Sequence, residues 1–95
     1  MELKYSKEYY DELKEIYYYL KYKKKEEIIA RRLITQISEK LKFLEIFPRA
    51  YKLINKKENL EYRKFIIKNY VIIYQINLKS REVNVLHIYN QKQYK

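Results

Sequence analysis

At 95 residues, with no cysteine, no glycine and one proline, the chain has the size of one domain (1-95) and cannot build a disulfide framework or a thiolate metal site. Its 22 Lys plus Arg against 12 Asp plus Glu leave a formal charge of +10, a balance that favours polyanions or an acidic protein partner. No segment approaches the ~18 to 20 apolar residues of a membrane span, and the start, Met1-Glu2-Leu3-Lys4-Tyr5, lacks the layout of a signal peptide, so no membrane association is expected and the cytoplasm is the default compartment.

Leu3 and Tyr5 alternate with Glu2 and Lys4, which predicts a short first strand. Ser6 is placed to cap a helix, with Glu8 in its first turn to complement the dipole. Tyr9, Leu13, Ile16, Tyr17 and Leu20 then form one apolar stripe over about four turns. Lys21 to Lys25 break the stripe as a short solvated connection. A second stripe, Ile29, Ala30, Leu33, Ile34, Ile37, Leu41 and Leu44, predicts a helix from Glu26 to Phe47, roughly 22 residues, ended by Pro48. Two helices on a short polar link predict an antiparallel hairpin.

Arg49 to Leu60 reads as a loop with a short strand at Tyr51 to Ile54. Tyr62 to Ile67, Tyr70 to Leu78 and Val83 to Tyr89 are rich in β-branched and aromatic residues and predict strands. Lys68-Asn69 is long enough only for a hairpin turn, and Lys79 to Glu82 makes the next one. Without glycine, positive φ falls by expectation to Asn69 and Asn77. The middle run, Tyr70 to Ile76, is apolar at nearly every position, as in a central strand covered on both faces. The fold class is therefore α+β: a two-layer domain with an N-terminal strand and helical hairpin packed on a small antiparallel sheet, in the order β-α-α-β-β-β.

Charge is unevenly placed. After Glu61 the only acid is Glu82, whereas Arg63, Lys64, Lys68, Lys79, Arg81, Lys92 and Lys95 are all basic. Arg49, Lys52, Lys56 and Lys57 line the loop before the sheet. With Arg63, Lys64 and Lys68 they form a candidate surface for a phosphate backbone or an acidic partner. Basic residues interleaved with aromatics suit single-stranded RNA, yet Tyr9, Tyr17, Tyr70 and Tyr74 fall on apolar stripes and read more simply as core.

The Tyr5-Ser6 entry to the first helix, Phe47-Pro48 after the second, Tyr62-Arg63 opening a strand, Asn69-Tyr70-Val71-Ile72-Ile73-Tyr74 and Leu86-His87-Ile88-Tyr89-Asn90 come in an order that resembles the RelE/ParE superfamily of type II toxin–antitoxin toxins. The resemblance covers essentially the whole chain. It implies a growth-inhibiting toxin, associated with plasmid stabilisation and held inactive by a cognate acidic antitoxin, with no cofactor and no metal. One branch, RelE-like, cuts mRNA on the ribosome. The other, ParE-like, acts on DNA gyrase.

Metal-free RNA cleavage needs a base, an acid and cations for the phosphate. By resemblance, Lys92 stands where the family tends to carry a basic residue and Tyr94 where RelE-like enzymes often carry a working aromatic. Arg63, His87 and Tyr94 are the catalytic candidates. His87, the only histidine, also reads as a partly buried strand residue sharing a face with Val83, Val85 and Tyr89. The arginine usual in the preceding strand of the RelE-like branch falls on Ile66, with Arg63, Lys64 and Lys68 out of phase or in the turn. That departure and the long second helix favour a ParE-like gyrase inhibitor; the alternative is a RelE-like ribosome-dependent endoribonuclease.

Overall fold

A computed structural model of the chain describes residues 1–93. The chain runs through β1 (Glu2–Tyr5), α1 (Lys7–Tyr18), a π-helical turn (Tyr19–Lys23), α2 (Glu27–Phe43), β2 (Lys52–Lys57), β3 (Leu60–Ile67), β4 (Tyr70–Asn77), β5 (Glu82–Asn90) and a 3-10 turn (Gln91–Gln93). The sheet order is β1-β5-β4-β3-β2, with β1 parallel to β5 and every other pair antiparallel. The α+β two-layer class and the strand–hairpin–sheet order therefore stand; the sheet is mixed, and the short strand expected at Tyr51 to Ile54 is present as β2, displaced to Lys52–Lys57.

The helices cover one face of the sheet. Leu33, Ile37, Leu41 and Leu44 of the second helical segment and Tyr9 of α1 pack on Phe65, Ile67, Ile72, Tyr74, Ile76, Val83, Val85 and Ile88. Each fully buried aliphatic side chain in such a layer contributes about 1.5–3 kcal/mol. Ser6 caps α1 as its side chain accepts from the Tyr9 N–H at 3.0 Å, and its hydroxyl donates to the Leu86 carbonyl at 2.7 Å, which ties the helix start to β5.

Three local expectations change. The stretch Lys21 to Lys25 is not a plain link: the helix continues as a π turn through Lys23 before reversing at Lys25. The second helix ends at Phe43 and not at Phe47, so it has 17 residues. There the ladder tightens to Leu44 N–H to Leu41 O and Glu45 N–H to Lys42 O, which keeps Leu44 in the core. Pro48 sets only the latest point at which the helix can end, and the helix stops about one turn before it.

Positive φ falls on Lys25, Glu58, Lys68 and Arg81, not on Asn69 or Asn77. Glu58-Asn59 and Lys68-Asn69 are two-residue hairpin loops, closed by Lys57 opposite Leu60 and by Ile67 opposite Tyr70. Only the first residue of each has φ above zero, the pattern of a II′ turn that normally takes glycine. Asn77 acts through its side chain, its Oδ1 accepting from the Lys79 and Ser80 N–H groups at 3.1 Å each.

Candidate target-binding face

The sheet face opposite the helices is set by register. In β3 the inward parity is Glu61, Arg63, Phe65 and Ile67, so Tyr62, Lys64 and Ile66 point outward. Lys64 is thus in phase with Ile66, contrary to the sequence reading. A bulge at Leu86 pairs Ile73 with His87 but Tyr74 with Val85. His87 therefore shares the outward face with Tyr89 and is turned away from Val83 and Val85, against expectation.

Three rows cross this outward face. Lys52, Lys64, Ile73 and His87 are register partners in the first. Asn55, Tyr62, Gln75, Asn84 and Lys4 form the second. Here the Asn84 amide donates to Gln75 Oε1 at 3.1 Å, and the Gln75 amide donates to the Tyr62 hydroxyl at 3.0 Å. Ile66, Val71 and Tyr89 make the third, with Ile66 47% exposed. Among the described residues, neither Lys52 nor Lys64 has a carboxylate partner, so both charges face solvent.

Arg63 is elsewhere. Its side chain, 13% exposed, lies on the helix side, where Nε and Nη2 donate to Glu61 Oε1 at 3.2 and 2.9 Å and Nη1 donates to the Tyr51 carbonyl at 2.7 Å. Arg49 holds the same carboxylate. Glu61 is 3% exposed; its bond with Arg49, reinforced by Arg63, holds its pKa below the ordinary carboxylate value against the cost of burial. Tyr74 donates its hydroxyl to the Pro48 carbonyl at 2.8 Å nearby, and burial pushes its phenol up to about 12. This cluster staples the loop after α2 to the sheet, and it engages both Arg49 and Arg63, two of the expected site residues.

The remaining candidates spread out. Lys57 shares the outward face with Lys52, whereas Lys56 points to the helix side of the edge strand. Lys68 sits in its turn at the rim of a groove of about 540 Å³ with Lys40, Phe43, Tyr51 and Ile67. Lys92 lies in the 3-10 turn, its N–H donating to Asn90 Oδ1. Tyr94 lies outside the described residues. His87 is half-exposed, its Nδ1 3.1 Å from Glu12 Oε1, and the same carboxylate accepts from the Ile88 N–H at 3.2 Å. Among the described residues no three His, Cys, Asp or Glu side chains gather to hold a metal ion.

Sequence reasoning missed Glu61 as a clasp, Glu12 as a strand-edge cap and the Asn84–Gln75–Tyr62 chain. The first had a signal: Glu61 and Arg63 share the parity of buried Phe65 and Ile67, and an inward-facing charge needs a partner. The Glu12 contact spans 75 residues and left none.

An α+β domain with a helical hairpin on one face of a mixed sheet and a basic, polar face on the other is the architecture of the RelE/ParE-like toxins. Residues 3–94 match the family described as ParE toxin of type II toxin-antitoxin system, parDE, and the chain belongs to that family. No curated protein matches. The fold is similar to that in a solved chromosomal ParDE toxin–antitoxin system from P. aeruginosa, at 17% identity, TM-score 0.67 and 95% coverage of both chains. It is also similar to that in the archaeal RelE–RelB complex from Pyrococcus horikoshii OT3, at 14% identity and TM-score 0.62, covering 95% of this chain and 93% of that one.

Proposed function

We propose that this chain is the growth-inhibiting toxin of a cytoplasmic type II toxin–antitoxin pair, neutralised by an acidic antitoxin, and that it acts as a binding inhibitor of DNA gyrase. The observation that carries the gyrase reading is the outward face of β3. Lys64 and exposed Ile66 stand there, while Arg63 is locked inward on Glu61. A face made of lysines, an amide–phenol chain and an apolar strip suits protein contact; Arg63, turned inward, does not offer it a guanidinium to grip a scissile phosphate. The length of the second helix no longer contributes to this reading, since it has 17 residues.

The other reading, RelE-like cleavage of mRNA on the ribosome, is favoured by one observation. His87, backed by the Glu12 carboxylate, shares a row with Lys52 and Lys64. That places a proton acceptor and two cations on one side of the sheet.

Induced expression decides between them. The gyrase reading expects growth arrest with intact transcripts, and loss of supercoiling by purified gyrase when the toxin is added. New RNA ends within translated codons, with supercoiling unaffected, would overturn it. Titration of the toxin with an acidic protein encoded beside it tests the partner; absence of binding at low salt would remove the antitoxin from the reading.

A further inference from the structure

The tip of the helical hairpin carries a feature that packing does not use. From Tyr17 to Lys25 the chain has four lysines and no acid. Its helical ladder widens there, with the Lys24 N–H donating to Tyr19 O and the Glu26 N–H to Leu20 O. Such π turns are infrequent and gather at functional sites. Leu20 stays against the core while the rings of Tyr18 and Tyr22 are turned to solvent, 52% and 62% exposed. Their centroids are 5.9 Å apart and their planes 34° apart. Lys21 Nζ lies 5.2 Å from the Tyr22 centroid, and Lys23, Lys24 and Lys25 follow immediately.

Two neighbouring exposed rings on one helix face are a costly way to make a soluble surface. Lysine alone would solubilise the tip. Lys21 is already engaged, 3.7 Å from Glu27 Oε1 and over the Tyr22 ring, but exposed rings beside the ammonium groups of Lys23, Lys24 and Lys25 suit a ligand that offers both flat aromatic groups and regularly spaced negative charge. Single-stranded nucleic acid is that ligand: bases stack on the rings, and the phosphates meet the lysines. An acidic protein segment would satisfy the lysines but leaves the paired rings without a role. Duplex nucleic acid hides the faces of its bases.

We infer that the hairpin tip is a second, independent binding site, on which Tyr18 and Tyr22 stack bases of a single-stranded nucleic acid while Lys23, Lys24 and Lys25 hold its backbone. The site lies on the helical hairpin, whereas the target-binding face is the sheet surface that the helices leave uncovered. It places the toxin on exposed single strands whichever macromolecule the sheet face engages.

The test is fluorescence anisotropy of the free toxin with a labelled single strand of roughly 12 nucleotides, as RNA and as DNA, against a duplex of equal length. Binding is expected to the single strand in preference to the duplex. Y18A and Y22A should each weaken it at least about fivefold with the salt slope unchanged, and Tyr22→Phe should retain it. Replacing Lys23, Lys24 and Lys25 by Gln should reduce the slope of log affinity on log salt by up to about 2. Unaltered far-ultraviolet circular dichroism verifies that each variant is folded. No binding at low salt, equal binding to duplex, or binding unmoved by the tyrosine variants overturns the inference. So does a tip that proves to contact the antitoxin instead, seen as lost antitoxin affinity in Y18A and Y22A with no strand binding.

Discussion

The Arg49 guanidinium holds the Glu61 carboxylate as a fork, Nη2 2.6 Å from Oε2 and Nε 3.1 Å from Oε1. With Arg63 on the other side, the carboxylate is shared between two cations whose backbone neighbours, Arg49 and Tyr51, also accept from Arg63. The loop leaving α2 is thereby fixed on β3 by a charged clasp.

Removing the acid should be the most damaging single change in this region. Glu61→Gln leaves a largely buried guanidinium opposite a neutral amide, and a loss of about 3 kcal/mol is expected. The same clasp sets a pH dependence. The folded-state pKa of Glu61 is depressed, so its contribution is complete above the ordinary glutamate value of ~4.3 and disappears as pH falls through the lower folded value. Thermal melts of the wild-type chain should fall steeply below about pH 4. Those of Glu61→Gln should fall less over the same range. Parallel curves for the two proteins would refute the assignment.

Arg63 and Lys64 are adjacent in the chain and lie on opposite faces of β3. Arg63→Ala should lower the melting temperature, because Glu61 and the Tyr51 carbonyl lose donors. Lys64→Gln should leave stability within about 0.5 kcal/mol and still weaken growth inhibition, since its ammonium faces the open side. The pair of measurements, melting temperature and colony formation after induction, checks both. Loss of toxicity in Arg63→Ala without loss of stability would return Arg63 to the functional surface.

The difference between these neighbours shows how far the sequence could be read. The helix stripes ending in Leu33, Ile37, Leu41 and Leu44, and the strands around Tyr70 to Asn77, follow from periodicity because burial on one face enforces it. The strand β2 was half visible. Lys-Leu-Ile-Asn-Lys-Lys has no alternation, and its pairing comes only from β3 with a bulge at Ile54. The His87 face was illegible for a related reason. The bulge that inverts it sits at Leu86, an ordinary residue, and an extra residue shifts parity without any mark in composition. The Lys68-Asn69 hairpin was legible from its length, but its II′ backbone and the whole Glu58-Asn59 turn were not, because glycine, their usual sign, is replaced by Lys68 and Glu58.

Glu12 gives a test that separates structure from chemistry at His87. Beyond Val85, β5 loses its β1 partner, and the Glu12 carboxylate takes over the Ile88 N–H. Glu12→Ala should cost about 1–2 kcal/mol by leaving that donor unsatisfied. His87→Ala should cost under about 0.5 kcal/mol, as the ring is half-exposed. Under the gyrase reading His87→Ala remains toxic. Abolished growth inhibition with an unchanged melt would support the nuclease reading instead.

The absence of glycine makes a final prediction possible. Glu58 holds φ at 54° as the first residue of the β2–β3 hairpin loop, where a Cβ crowds the following carbonyl at a cost of about 1–2 kcal/mol. Glycine removes that crowding but gives the unfolded chain more freedom to lose, which returns part of the gain. Glu58 is exposed and makes no ion pair among the described residues, so no contact is lost with it. Glu58→Gly is therefore expected to raise stability by about 0.5–1 kcal/mol in denaturant melts, with the slope of the transition unchanged. The outcome decides how the hairpin is held. If glycine destabilises the fold, the positive φ at Glu58 is held without strain by the pairing between β2 and β3.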